Sequence, residues 1–342
     1  MLPVVKRAAS VAAGLVASSR LLDVMERMDS RRPNLLRVLT YHRVDLPGAR
    51  PELRPNVLSA TPRAFEEQMR HLAGRCHVVS LSEVLAACRG ATALPPRSVL
   101  ITFDDAYRDF AEHAWPILRK YGLPAVLFVP TGFPDRPDRS FWWDRLHQAF
   151  WATDRRDAVN TPLGRMPLTT PWRRRRAARR INDYIKTLPH RDGMDLVERL
   201  CRELDAPPSQ GHVLGWEELR RLAREGLALG AHTRNHSIMH RVSTDEARAE
   251  AAGSLEDLKR EVGPVDPVFA YPAGGVDDEV VRILGEEGFR VAFTTAAGIN
   301  DLDRADPLRL CRLNVSRQTT LPLLRARLLR DARRHAGSAA PV

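Results

Sequence analysis

Two apolar patterns alternate along the chain. Short runs rich in β-branched residues recur at 35–44, 78–80, 99–103, 125–129, 227–229, 267–271, 291–294 and 310–315. Most are bounded by Pro, Gly or a polar cluster, as expected of strands buried on both faces of a parallel sheet. Between them, apolar residues return at helical spacing, as in Phe65, Met69 and Leu72 after Thr61-Pro62. Ser82 is expected to cap the next helix, which ends near Gly90. Further helices are expected over 106–121, 216–226, 244–262, 277–288 and 321–334. Strand–helix–strand repetition is the βαβ pattern. It predicts an α/β fold, a distorted (β/α) barrel of fewer than eight regular units across residues 35–320.

Three stretches fall outside that alternation. Residues 133–214 carry Phe141-Trp142-Trp143-Asp144, an arginine run from Arg173 to Arg180 and a Pro207-Pro208 linker. They predict a helical insertion, read either as a lid or binding surface or as a solvated basic face. Residues 1–34 have a mild amphipathic periodicity through Val11, Leu15, Val16, Leu21 and Met25, too short and weakly apolar to span a bilayer. One helix lying on a membrane surface or on the domain is expected there. Residues 321–342 read as a basic helix with a tail.

Polar chemistry collects where apolar runs end. The run 99–103 stops at Asp104-Asp105, two adjacent carboxylates that repel each other and are costly to bury without a cation or protons. The carboxyl edge of a parallel strand is where such folds place their chemistry. A helix cap beginning near Ala106 is the plainer explanation. The apolar segment 227–229 leads into Gly230-Ala231-His232-Thr233-Arg234-Asn235-His236. Two His at this spacing converge on one metal if the segment turns or is helical. One Asp with two imidazoles suits zinc or a similar divalent ion and leaves positions open for water and substrate. His240 extends the spacing but is read as structural.

Together these stretches resemble the polysaccharide deacetylase (NodB-homology) family, carbohydrate esterase family four. Thr102-Phe103-Asp104-Asp105 looks like its first motif, His232 with His236 like its second, and Phe269-Ala270-Tyr271-Pro272-Ala273-Gly274 like its third. The resemblance covers most of residues 36–316 outside the insertion. It implies a metal-dependent hydrolase acting on the acetamide of an N-acetylated sugar. Asp105, His232 and His236 would hold the metal and Asp104 would be the base. The Ala273 backbone N–H would bind the oxyanion, with Tyr271 and Pro272 beside the substrate. The general acid in the usual family arrangement is a late-strand His, which residues 310–317 lack. Circularly permuted members carry it early, where His42 stands. The third motif often has an Arg that orients the base, and Ala270 occupies that position.

Composition adds limits. The 342 residues, 44% hydrophobic, suffice for one large domain with an insertion. The net charge of +11 favours acidic surfaces such as anionic lipid or acidic polysaccharide. Specific nucleic-acid binding has no motif beyond that charge. Cys76, Cys88, Cys201 and Cys311 are scattered, without a zinc-type spacing, and fit free thiols in a reducing compartment. A cytoplasmic location with peripheral membrane contact is therefore expected, with secretion or the cell envelope as the alternative. Two other functions compete. A glycosidase pair needs carboxylates ~5–9 Å apart across a sugar, which adjacent Asp residues supply poorly. A noncatalytic basic protein binding glycan or membrane would leave the intact Asp and His set without a role.

Overall fold

The computed structural model describes residues 22–24, 26, 33–208 and 210–329. Nine strands form one curled sheet: β1 (Leu35–Tyr41), β2 (His77–Val78), β3 (Ser98–Phe103), β4 (Val126–Val129), β5 (Ala228–Ala231), β6 (Val268–Ala270), β7 (Val291–Phe293), β8 (Asn300–Asp301) and β9 (Leu313–Asn314). The order is β7-β6-β5-β4-β3-β1, all parallel. β8 runs antiparallel beside the start of β1, and β9 runs parallel beside its end. The segment 310–315 reaches both margins of the sheet. Thr294 donates to the Leu310 carbonyl at 2.8 Å beyond β7, and Val315 donates to the Thr40 carbonyl of β1 at 2.9 Å. This is the distorted (β/α) barrel expected from the alternation.

Burial on both faces explains why these strands read as continuous apolar runs. All residues of β1, β3 and β4 are buried. The helices over the outer face are α1 (Pro62–Arg75), α2 (Leu81–Cys88), α3 (Trp115–Lys120), then after the insertion α7 (Trp216–Arg224), α8 (Thr244–Val262), α9 (Asp278–Glu286) and α10 (Leu321–Leu328). Thr61 caps α1, with its hydroxyl accepting from Ala64 N–H and Pro62 in the first turn. The cap of α2 is Ser80, not Ser82: Ser80 and Glu83 form a reciprocal capping box.

The helix expected from Ala106 starts later. Asp105 (φ +74°) and Ala106 (φ +51°) are both left-handed, so helical geometry begins only at Arg108 and passes through a π-turn at Phe110–Ala114.

Within residues 133–214 lie α4 (Trp142–Ala152), α5 (Pro171–Ile185), α6 (His190–Glu203) and a β-hairpin, Ala158–Thr161 with Gly164–Pro167, so the insertion is not purely helical as expected. The arginine run is not uniformly solvated. Arg174 is buried and donates to the carbonyls of Leu168, Thr153 and Arg155, tying the hairpin to α4 and α5. Most of the N-terminal helix expected over 1–34 lies outside the described residues. Residues 22–24 and 26 are helical, and Glu26 is buried against Arg325 of α10. The tail from residue 330 also lies outside the described residues. No helix among the described residues is long and apolar enough to cross a membrane.

Candidate active site

Strand register brings the first residues together. Tyr41 of β1 pairs with Phe103 of β3, so His42 and Asp104 leave the sheet side by side at its carboxyl edge. The Asp104 N–H donates to the Tyr41 carbonyl at 2.9 Å. The left-handed turn at Asp105 and Ala106 then swings the second carboxylate away from the first. A small side chain suits this turn, and Ala106 is fully buried.

Asp105 faces two imidazoles. Its Oδ1 lies 3.5 Å from His232 Nε2 and 3.2 Å from His236 Nε2. One ligand atom from each of the three residues falls within 4.8 Å of the others, and all three residues are buried. His232 directly follows β5, and its Nδ1 donates to the Ala270 carbonyl at 2.7 Å. A carbonyl only accepts, so Nδ1 carries a proton and Nε2 is the ring nitrogen turned toward Asp105. His236 reaches the same point through a turn, with Thr233 at φ +60° and His236 at φ +57°. Glu250 of α8 holds that turn: its Oε2 accepts from the Arg234 and Asn235 N–H groups at 2.9 and 2.8 Å. Arg234 in turn pairs with Asp257 at 2.8 Å and lies over Gly253, where a Cβ would stand 2.3 Å from the guanidinium carbon.

These residues fit a divalent cation. Asp105 Oδ1 is buried with no hydrogen-bond donor among the described residues, in a set of two imidazoles and a carboxylate. Burial pushes the Asp105 carboxyl up, and positive charge or protons on the two facing imidazoles more than reverse this, so the site favours an anionic Asp105 wherever a cation shares it. Burial lowers His236, favouring the neutral ring that a metal requires.

Asp104 is held differently. Arg312 donates to both of its oxygens, Nη1 to Oδ1 at 2.8 Å and Nη2 to Oδ2 at 2.7 Å, while its Nε donates to the Thr294 carbonyl at 2.8 Å. Both side chains are buried. Burial raises the Asp104 carboxyl, and the guanidinium charge outweighs it, so the group lies below its ordinary value. The family's third motif often has an Arg where Ala270 stands; here Arg312, from a distant segment, pairs with Asp104, which the sequence does not predict. Arg312 carried a signal, being the sole charged residue of the otherwise apolar and polar run 310–315.

His42, Asp104, Asp105, His232, His236 and Ala273 line one cleft of about 200 Å³. Ala273 enters at φ +52° in the turn after β6. Tyr271 and Pro272 are not among the residues lining that cleft; the Tyr271 hydroxyl donates to the Leu308 carbonyl at 2.8 Å. Being adjacent in the motif, they take other directions where the chain turns. His240 stands outside the Asp–His–His group.

The start of the insertion forms one wall. Trp143 packs edge-on to His236 with ring centroids 4.6 Å apart, and its Nε1 donates to the Tyr107 hydroxyl at 2.9 Å. That hydroxyl donates to buried Asp144 at 2.7 Å, and Asp144 also accepts from the Arg54 N–H at 2.7 Å. Burial pushes the Asp144 carboxyl up to about 7. Asp144 thus joins the turn after β3, the insertion and the loop carrying Arg54.

The parallel sheet carries buried carboxylates and imidazoles at its carboxyl edge, where α/β enzymes place their chemistry. The chain belongs to the polysaccharide deacetylase family, whose profile matches residues 91–292, and is a hydrolase of N-acetyl amide bonds. Bacillus subtilis YxkH, named for the same family, is 19% identical over 283 residues, covering 82% of this chain and 72% of that one. The poly-beta-1,6-N-acetyl-D-glucosamine N-deacetylase of Escherichia coli K12 is 23% identical over 260 residues, 67% of this chain but 30% of that protein. Among solved structures, Streptococcus pyogenes deacetylase PplD in complex with acetate superposes with a TM-score of 0.59 at 19% identity, covering 87% of this chain and 99% of that one. This likeness concerns the fold.

Proposed function

We propose that the protein removes the acetyl group from an N-acetylated sugar in a polysaccharide or glycan precursor, using one divalent ion, zinc by its donor set, held by Asp105, His232 and His236. The carrying observation is the contrast between two adjacent buried carboxylates. Asp104 is doubly bound by Arg312, while Asp105 Oδ1 has no donor and faces two imidazoles. The name of the Escherichia coli relative supports N-acetylglucosamine as the sugar.

A divalent ion there would lower the pKa of bound water and polarise the acetyl carbonyl. Asp104, ionised and oriented by Arg312, takes the proton from the attacking water. The backbone N–H of Ala273 donates to the oxygen that becomes negative. The leaving amine needs a proton, because an amide anion is too poor a leaving group. Arg312 stays protonated and is bound to Asp104, so His42, on the adjacent strand end, is the donor.

Acetate release from N-acetylglucosamine oligomers, followed before and after chelation and on re-addition of zinc, tests this reading. Release that survives complete metal removal would exclude the metal-dependent reaction.

Peripheral contact with an anionic membrane, in the cytoplasm, belongs to the same proposal. It is supported by Trp172, 64% exposed, beside exposed Arg173, Arg175, Arg176, Arg179 and Arg180 on α5, and by four free cysteines. Equal sedimentation with neutral and anionic vesicles would oppose it.

A further inference from the structure

The catalytic cleft contains two cations that the deacetylation chemistry leaves unused. Arg54 and Lys186 line it together with His42, Asp104 and Asp105. They come from separate parts of the chain, Arg54 from the loop after β1 and Lys186 from the C-terminal end of α5 in the insertion. Arg54 is fixed through its own backbone N–H, which donates to Asp144. Asp144 also accepts from Tyr107 and forms no ion pair with the Arg54 guanidinium.

Neither cation forms a hydrogen bond or ion pair through its charged end among the described residues. Other arginines near this face are satisfied: Arg43 on Asp109 and Asp45, Arg50 on Asp45, Arg139 on Gly132 and Asn235, and Arg312 on Asp104. Partly buried Arg54 is lowered by desolvation, which the more distant carboxylates do not fully offset. Although much of the Lys186 side chain meets solvent, the protein packed around it and then the Arg54 charge lower its ammonium. Two unpaired positive charges facing one cleft disfavour each other and gain most from an anion placed between them.

We infer that the cleft takes an N-acetylated saccharide carrying an anionic substituent, a carboxylate or a phosphate diester, which binds against Arg54 and Lys186. The inference rests on the deacetylase reading and narrows its substrate class. A neutral N-acetylglucosamine polymer offers these cations nothing. A partly deacetylated polymer carries ammonium groups that they repel. An acidic saccharide satisfies both cations, and after deacetylation its new ammonium is disfavoured beside them, which aids release.

Binding to the metal-loaded Asp104→Asn variant, measured by titration calorimetry, tests the inference without turnover. The probes are a neutral N-acetylglucosamine tetramer, a tetramer alternating N-acetylglucosamine with glucuronate, and an N-acetylglucosamine 1-phosphate diester. At least one anionic probe should bind about 10-fold or more tightly than the neutral one at low salt, and the advantage should shrink as salt rises. Which anionic probe gains identifies the group. Adding Arg54→Gln with Lys186→Gln should erase the advantage and leave neutral binding unchanged, whereas Arg54→Lys should keep most of it. Equal binding of all three probes, no binding of either anionic probe, or an advantage that survives the double substitution overturns the inference. Acetate release from the neutral tetramer by the unsubstituted enzyme, without anion selectivity, would leave deacetylation standing and remove this inference. Anion-selective binding with no acetate released from any probe would do the reverse.

Discussion

Asp104 and Asp105 are neighbours in the chain and nearly equal in burial, yet they stand in opposite environments. Asp104 is saturated by a guanidinium from the segment that closes the barrel. Asp105 meets two imidazoles from the loop after β5 and keeps an oxygen without a donor. The left-handed backbone at Asp105 and Ala106 turns the second carboxylate away from the first. The lesson is that residue type and burial do not decide what a carboxylate does; its partners do. A carboxylate with a permanent internal cation is held ionised and oriented. One faced by ring nitrogens that can give up their protons is suited to bind an external cation.

The strongest way to break this comparison is to neutralise each side separately. Asp104→Asn should lower turnover by about 10²–10⁴-fold with metal content unchanged, and Asp105→Asn should lose the metal itself. Elemental analysis beside acetate release reads both, and equal metal loss in the two variants would dissolve the distinction. His42→Ala belongs with Asp104→Asn: a drop on the same scale, bound metal retained, and one limb of the pH–rate profile gone. A normal pH profile in that variant would leave the acid unidentified.

Arg312 is the next test. Arg312→Met strands a buried carboxylate, and breaking such a pair costs about 3–5 kcal/mol. Denaturant unfolding should show this loss, and the Asp104→Asn, Arg312→Met double variant should recover most of it. Without recovery, the Arg312 contribution would lie in its Thr294 contact rather than in the charge of Asp104.

Asp144 supplies a third kind of buried carboxylate, bound by two uncharged donors and no cation, and it should titrate differently. Its folded value of about 7 is raised above the ordinary value of 3.8. Below the unfolded value both states are protonated and nothing is lost. As pH rises from about 4 to about 7 the unfolded chain releases this proton while the folded chain keeps it. Stability therefore falls across that window, by a few kcal/mol in order of magnitude. Asp144→Asn should remove that slope, so the difference in unfolding free energy between variant and parent should change between pH 4 and 7. A constant difference would show that Asp144 ionises freely in the fold.

The smallest expected effect sharpens the metal side. Glu250→Gln keeps the shape of the side chain but weakens its grip on the N–H groups of Arg234 and Asn235, between the two His. Metal affinity should fall about 10-fold in a competition titration with a chromophoric chelator. Unchanged affinity would mean that the turn stands without Glu250.

Much of this protein is determined by local sequence. Apolar runs bounded by Pro and Gly specify the strands, because a strand covered on both faces leaves no polar alternation to misread. Thr61-Pro62 and the Ser80–Glu83 pair specify helix starts, because caps act within one turn. Asp104-Asp105 and His232 with His236 were legible because their spacing is short and each pair follows a strand. Tertiary structure alone decided the rest. No local signal paired Arg312 with Asp104 across 208 positions, since only barrel closure brings residues 310–315 beside β1. Nor could periodicity place His42 beside Asp104, which depends on the β1–β3 register. It also could not show that Arg174 is buried as a hairpin tie, or that Arg54 and Lys186 face the cleft unpaired among the described residues. Charge written in a sequence says how much there is; only packing decides which charges find partners and which are left for a ligand.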